Sequence, residues 1–153
     1  RPNVVLRFFS VDGPWAHPHR LVPSAVRAAL TGAVLPLTRP GLQHDFVYVG
    51  DVVEALLRAG LEPAACGEVI NVGSGRGCSN EGLVDLVEEA TGRTIRRNVG
   101  AFPAQPCDKE CWVADVRKAA RVLDWHPTTT LSHGLALSAS WWGERPALLG
   151  PDS

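Results

Sequence analysis

A glycine-rich turn is the first stretch of this chain whose residue types and spacing suit the binding of a ligand. Gly73-Ser-Gly-Arg-Gly77 follows a predicted strand and precedes a predicted helix. In dinucleotide-binding folds, the amides of such a loop and of the helix N-terminus bind a pyrophosphate. Here the third glycine comes one residue early, and Arg93, Arg96 and Arg97 occupy the region where an acid would bind the ribose. We therefore favour a structural turn over a cofactor site.

The four cysteines are a second set of candidates for chemistry. Cys66, Cys78, Cys107 and Cys111 are separated by eleven, twenty-eight and three residues. Structural zinc sites use two closely spaced pairs of ligands, which this spacing does not provide. The pattern therefore favours free thiols, which are typical of a reducing cytosol, and predicts no metal site.

His44 and Asp45 precede the segment around which the chain is predicted to be organised. Phe46 to Val49 is a short aromatic and β-branched run, which is typical of a strand. Asp51 and Glu54 have the spacing of an acidic capping box at the start of the next helix. That helix is apolar nearly all round, which predicts that it is buried. A capped, buried helix would fix the position of His44 and Asp45.

Composition indicates one soluble globular domain. The chain has 153 residues, of which 45% are hydrophobic and 20% charged. Fifteen basic and sixteen acidic residues leave a net charge of −1 without a basic stripe, which argues against a nucleic-acid partner. No apolar run approaches the ~20 residues of a membrane span, and the first residues do not have the pattern of a signal peptide. We therefore expect a cytoplasmic protein.

The beginning of the chain predicts a missing neighbour. The sequence contains no Met, and Val4 to Phe9 is a nearly continuous apolar run. Such runs are typical of strands that are buried on both faces of a parallel sheet. Because this chain supplies few strands to pair with it, we expect the chain to be the C-terminal piece of a longer protein.

Short strands and helices alternate along the rest of the chain, which predicts a small mixed α/β fold. The predicted strands span 34–37, 68–72 and 94–99, and the predicted helices span 23–31, 80–91, 116–123 and 131–142. Ser79, Asp115 and Thr130 are the predicted N-caps. The domain is expected to occupy residues 1–142, and residues 143–153 lack periodicity and are predicted to form a flexible tail.

The segment 44–56, HDFVYVGDVVEAL, also resembles the RDFVYVDDVVEAL signature of the extended short-chain dehydrogenase/reductase family, the NAD-dependent nucleotide-sugar epimerases and dehydratases. LRFFSVDGP, GEVINVGSG, VADVRKAARVLDWHP and TTLSHGLALSASWW follow in the order of that family. The resemblance covers nearly the whole chain but only the C-terminal, substrate-binding portion of the family. It implies a Rossmann-type enzyme whose N-terminal dinucleotide-binding part, which binds most of the NAD, is absent from this chain.

The resemblance implies no catalytic residue in this chain. The family uses a Tyr-x-x-x-Lys pair as its base for hydride chemistry, whereas the only tyrosine here is Tyr48 and the only lysines are Lys109 and Lys118. We therefore expect no turnover from this portion alone. What remains is substrate binding, with a homodimer as a further possibility.

Four residues near the start of the chain take site roles from the resemblance. Phe9 would lie beside the nicotinamide, and Ser10 stands where an Asn normally bonds the substrate. Arg20 and Leu21 match the segment that lines the sugar and phosphate. Trp15, in the same loop region, would be near enough to stack on a sugar ring.

Three further positions match residues that contact the nucleotide. His44 stands where the Arg of RDF pairs with the diphosphate, and Gln105 stands where an Arg precedes Pro-x-Asp, with Asp108 as that Asp. Replacing two guanidinium groups by an imidazole and an amide would weaken the grip on a diphosphate, unless another arginine such as Arg20, Arg39 or Arg76 compensates. Because one ligand must touch them all, Ser10, His44, Gln105 and Asp108 are predicted to face one cleft.

Two alternatives remain open on sequence alone. The weakened diphosphate contacts would also suit a relative that reduces a non-nucleotide substrate. A non-catalytic binding or assembly module that kept the same fold is the other alternative.

Overall fold

The structure, a computed structural model, describes residues 3–102 and 110–150. The strands are β1 (Val5–Phe8), β2 (Ser10–Asp12), β3 (Leu35–Leu37), β4 (Gln43–His44), β5 (Phe46–Tyr48), β6 (Val69–Val72), β7 (Cys78–Ser79), β8 (Arg97–Val99) and β9 (Cys111–Trp112). The α-helices are α1 (Leu21–Thr31), α2 (Val49–Leu61), α3 (Asn80–Thr91), α4 (Arg117–Leu123) and α5 (Leu131–Gly143). The predicted mixed α/β fold is confirmed. None of the described helices has both the length and the apolar character needed to cross a membrane.

Strand pairing is mostly parallel. β1 pairs with β6, β2 with β5, and β3 with β8, each in parallel register. β4 lies between β7, which is antiparallel to it, and β9, which is parallel. Only Phe9 separates β1 from β2, so one extended segment pairs first with β6 and then with β5. That arrangement places Ser10 opposite Phe46.

Two clusters of buried apolar side chains form the core. The first packs α1, α3 and α5 together and includes Val26, Leu83 and Trp142. The second packs α2 and α4 against β6 and includes Ala55, Ile70 and Trp125. Trp125 and Trp142 are buried and anchor the core, whereas Trp112 is 44% exposed.

Capping residues at the helix ends determine several helix boundaries. The Ser79 hydroxyl accepts a hydrogen bond from the Gly82 amide at 3.0 Å, and the Thr130 hydroxyl accepts one from the His133 amide at 3.3 Å. Gly92 ends α3 in the left-handed conformation. These caps are confirmed, because they depend only on residues within one helical turn. At the start of α4, the Asp115 carboxylate accepts a hydrogen bond from the Arg117 amide at 3.1 Å, although Val116 occupies the formal N-cap position.

The predicted capping box of α2 is wrong. The helix begins at Val49, two residues before Asp51, and has no side-chain cap. The buried carboxylate of Asp51 instead accepts hydrogen bonds from the Thr128 amide at 2.9 Å and the Thr128 hydroxyl at 3.0 Å. Glu54 pairs with Arg58 at 2.7 Å rather than with the helix start. Asp51 therefore ties α2 to the loop that precedes α5.

The predicted burial of α2 on all sides is also wrong within this chain. Val52, Ala55 and Ala59 face the core. A second row of apolar side chains on the same helix is exposed to solvent, and we call this row the α2 stripe. It consists of Val53, Leu56, Leu57 and Leu61. Leu57 is 63% exposed and Leu61 is 84% exposed. The described residues therefore cover only part of the apolar surface of this helix.

β1 is likewise less buried than the sequence predicted. Val5 and Phe8 are about half exposed, and so is Val69 on the paired strand. Among the described residues, β1 pairs only with β6, which leaves one edge of a parallel pair open. Parallel sheets are normally covered on both faces, so this pair is incomplete as a free-standing sheet.

The expected tail is packed as far as Gly150. Pro146–Leu149 forms a 3-10 turn, and Leu149 is buried in the first core cluster. The Arg27 guanidinium donates a hydrogen bond to the Leu149 carbonyl at 3.2 Å. A segment this short can therefore pack against the core without a periodic hydrophobic pattern.

Candidate functional site

A cavity of about 560 Å³ lies between α1, β3 and the strands β2 and β5. A space of that size suits a small-molecule ligand. Its lining includes four residues that the sequence predicted as substrate contacts, namely Ser10, Arg20, Leu21 and His44. Ser10 and His44 come from segments that lie far apart in the sequence, and their meeting agrees with the predicted cleft. Gln105 and Asp108 lie outside the described residues.

The junction of β4 and β5 positions His44 through its neighbour Asp45. Asp45 is fully buried, and its carboxylate accepts hydrogen bonds from three backbone amides, those of Ser74 at 2.6 Å, Gly75 at 2.8 Å and Ala114 at 3.0 Å. Its carbonyl accepts a hydrogen bond from the Ser10 amide at 2.9 Å. One residue thus fixes both His44 and Ser10 at the cavity.

Basic side chains dominate the polar lining of the cavity. His19, Arg20, Arg27 and His44 all contribute to it, and Asp12 is the one carboxylate among the described lining residues. The two arginines outnumber this carboxylate, which favours an anionic ligand. Of the three arginines proposed as compensation for the two lost guanidinium groups, Arg20 lines the cavity, whereas Arg39 and Arg76 do not.

The end of the cavity formed by β3 is mostly apolar. Val34, Leu35, Leu37 and Phe102 are among its lining residues. Near them, the Asn80 amide donates a hydrogen bond to the Thr38 hydroxyl at 2.8 Å. An apolar slot with few polar groups suits a flat ring with hydrogen-bonding edges.

Asp12 and Ser10 line the part of the cavity that β2 forms. It is 7% exposed, and the Ser138 hydroxyl donates a hydrogen bond to its Oδ2 at 2.6 Å. Burial raises the pKa of the Asp12 carboxyl, while hydrogen bonds from Ser138 and the Gly13 amide and the charge of Arg20 lower it by less. Asp12 is not among the predicted site residues, although its position two residues after Ser10 on one strand places both side chains on the same face.

The glycine-rich turn does not fit a dinucleotide. The amides of Ser74 and Gly75 already donate to the Asp45 carboxylate, whose negative charge would repel a phosphate. A Cβ on Gly73 would lie 2.7 Å from Asp45 Oδ2, so the glycine allows this close approach. The structural role favoured from the sequence is confirmed.

Two predicted aromatic contacts lie away from the cavity lining. Phe9 packs edge-on against Trp112 with ring centroids 6.3 Å apart, next to Ser10 in the chain. Its role beside a nicotinamide stays a prediction. Trp15 contacts Trp141 with centroids 5.2 Å apart and is not among the cavity residues, so the predicted stacking on a sugar inside the cavity is not supported by its position.

Three cysteines fall within the described residues. Cys66, Cys78 and Cys111 are free thiols, in agreement with the sequence prediction. Cys107 lies outside the described residues.

The model of the NAD dependent epimerase/dehydratase family matches residues 2–73. A Bacillus subtilis protein named as an uncharacterized UDP-glucose epimerase is 31% identical over 94% of this chain and 46% of its own length. The chain thus spans less than half the length of this relative.

Solved structures show the same partial correspondence. The UDP-glucose 4-epimerase of Thermotoga maritima with UDP-glucose superposes with a TM-score of 0.84 at 31% identity, over 92% of this chain and 46% of that one. The UDP-glucuronic acid 4-epimerase of Bacillus cereus, in complex with UDP-glucuronic acid and NAD, gives a TM-score of 0.86 at 27% identity, over 94% of this chain and 46% of that one. The fold of this chain is therefore the fold of one part of such enzymes.

Proposed function

We propose that this chain is the substrate-binding part of a nucleotide-sugar epimerase or dehydratase, because residues 2–73 match the NAD dependent epimerase/dehydratase family and a relative named as a UDP-glucose epimerase is 31% identical over 94% of the chain. The observation that carries the proposal is the cavity at which Ser10, Arg20, Leu21 and His44 meet. Motif resemblance alone assigns roles in substrate binding to these four residues. One ligand in the cavity would reach all four.

The two ends of the cavity suit the two ends of a nucleotide sugar. The apolar end at Leu35 and Leu37 suits a nucleobase, whose flat ring needs apolar walls. Arg20 and His44 offer donors for a diphosphate, and Arg20 can bind two phosphate oxygens at once. The remaining end, at Ser10 and Asp12, is left for the sugar.

In the complete enzyme, NAD would accept a hydride from a sugar carbon and would later return it. This chain contributes little to its binding, because the amides of Ser74 and Gly75 are engaged by Asp45 and the sequence holds no second glycine loop. Phe9, which directly precedes Ser10, is the residue proposed to lie beside the nicotinamide. Without the Tyr-x-x-x-Lys pair, this chain alone should not turn over.

A preceding dinucleotide-binding half would cover the surfaces left bare here. On one flank of α2, the Arg58 guanidinium donates to the Leu123 carbonyl of α4 at 3.3 Å. The α2 stripe is exposed to solvent, and β1 has an open edge among the described residues and half-exposed Val5 and Phe8. A divided α/β sheet would present both an open parallel edge and an exposed apolar helix face. We place the complete enzyme in the cytoplasm, which its free thiols favour.

The proposal is tested by titrating the natural protein that carries this chain with UDP-glucose in a calorimeter. We expect Arg20→Ala and His44→Ala each to weaken binding at least about tenfold, since each removes a phosphate donor. Arg39→Ala removes the same charge as Arg20→Ala but lies outside the cavity lining, so it should leave the affinity unchanged. Equal effects of all three variants, or no binding by the natural protein, would contradict the proposal.

A further inference from the structure

Asp12 is a buried carboxylate in a cavity that is otherwise lined with cationic and neutral groups. It is the one carboxylate among the described lining residues, and only 7% of its surface is exposed. Burying a charged group is costly unless something compensates for the lost hydration. A packing residue at this position would not need a charge, so the carboxylate calls for another explanation.

The position of this carboxylate is fixed from behind. The hydroxyl of Ser138, which is fully buried on α5, lies 2.6 Å from Asp12 Oδ2 and 2.8 Å from the Gly134 carbonyl. The Gly13 amide is a second donor to the carboxylate. An ionised carboxylate has about four acceptor sites, so these two donors leave capacity for a ligand.

The position of the sugar in the cavity is deduced from the proposed function, on which this inference rests. A sugar that exchanges a hydride must lie next to the cofactor, and the proposed nicotinamide contact Phe9 directly precedes Ser10. Asp12 follows Ser10 by two residues on the same face of β2. The group nearest Asp12 would therefore be the sugar, with the nucleotide at the β3 end.

We propose that Asp12 is a specificity-determining residue that accepts hydrogen bonds from the hydroxyls of a neutral sugar and excludes a hexuronic acid. The Asp12 carboxylate would repel the carboxylate of a hexuronic acid. At a separation of about 6 Å and an effective dielectric constant near 20, this repulsion would weaken binding roughly a hundredfold. Arg20 offsets part of this repulsion, but its exposure to solvent weakens the effect. The relatives include both UDP-glucose and UDP-glucuronic acid enzymes, so this charge selects between two substrate classes.

The test compares the affinities of the natural protein for UDP-glucose and UDP-glucuronate by calorimetry. We expect UDP-glucose to bind at least about tenfold more tightly. Asp12→Asn keeps an oxygen that accepts from Ser138 but removes the charge, so it should bring the two affinities to within about threefold of each other. Ser138→Ala is the matched variant that removes the hydrogen bond and keeps the charge, and it should retain the preference for UDP-glucose.

The possible outcomes separate this inference from the proposed function. Equal binding of the two sugar nucleotides by the natural protein would overturn the role of Asp12 while leaving the nucleotide-sugar site intact. Loss of the preference in Ser138→Ala to the same extent as in Asp12→Asn would also overturn it, because the effect would then be structural. If neither sugar nucleotide binds, and UDP alone does not bind either, the proposed function itself fails.

Discussion

A Cβ placed on Gly73 would lie 2.7 Å from the Oδ2 atom of Asp45 and equally close to the Ala114 side chain. Gly73→Ala should therefore lower the free energy of unfolding by about 1–3 kcal/mol, since neither neighbour is at the end of a flexible side chain. Gly143→Ala is the matched control, because a Cβ there meets nothing within 4 Å at the end of α5. It should be neutral or stabilising by up to about 1 kcal/mol. Urea unfolding of both variants measures the difference, and equal effects would mean that the turn is looser than the structure describes.

The Asp45 carboxylate itself should be one of the most sensitive polar groups in the chain. Asp45→Asn replaces one of its oxygens by an NH2 group and leaves buried amides such as those of Gly75 and Ala114 without an acceptor. The expected cost is about 2–5 kcal/mol, because each buried unpaired donor costs roughly 1–3 kcal/mol. Asp85→Asn removes a carboxylate that is more than half exposed and paired with Arg97, so it should cost less than about 1 kcal/mol. Thermal or urea unfolding that ranks Asp85→Asn above Asp45→Asn would refute this role.

The α2 stripe supports a prediction about what covers it. In the natural protein that carries this chain, Leu57→Lys should cost at least about 2 kcal/mol if a preceding half buries the stripe, because an unpaired charge would be desolvated. Ala136→Lys introduces the same charge on the exposed face of α5 and should change stability by no more than about 0.5 kcal/mol. Similar small effects of both substitutions would show that the stripe faces solvent in the natural protein.

The stability of the protein should depend on pH through Asp12. Burial raises the pKa of this carboxyl in the folded state, so the unfolded chain ionises first as the pH rises above about 4. The wild type therefore carries no penalty below that pH and loses stability as the pH rises through the folded pKa. Asp12→Asn cannot ionise, so its stability relative to the wild type should increase between pH 4 and pH 7. Urea unfolding across that range tests this, and a constant difference would mean that the carboxyl pKa is not raised.

Features that depend on one helical turn could be predicted from the sequence. The caps at Ser79 and Thr130 and the stop at Gly92 are examples, because the partner of each cap lies within three or four residues. The meeting of Ser10 with His44 came instead from motif resemblance, which carries tertiary information that local patterns lack. Asp12 was missed although the alternation of β2 pointed to it.

Features that depend on distant partners could not be predicted in this way. Asp51 has the type and spacing of a helix cap, but its partner Thr128 is 77 positions away, and no local rule distinguishes the two roles. Leu56 and Leu57 belong to an apolar helix that is typical of a buried one, yet they are exposed here. An apolar pattern predicts that a face is covered without identifying the chain that covers it.

The most direct test of the central proposal is a crystal structure of the natural protein that carries this chain with UDP-glucose bound. We expect the ligand to occupy the cavity between α1, β2 and β3, with diphosphate oxygens within hydrogen-bond distance of Arg20 and His44 and the sugar beside Ser10 and Asp12. A ligand bound elsewhere, or one in this cavity with its diphosphate turned away from Arg20 and His44, would contradict the proposed site.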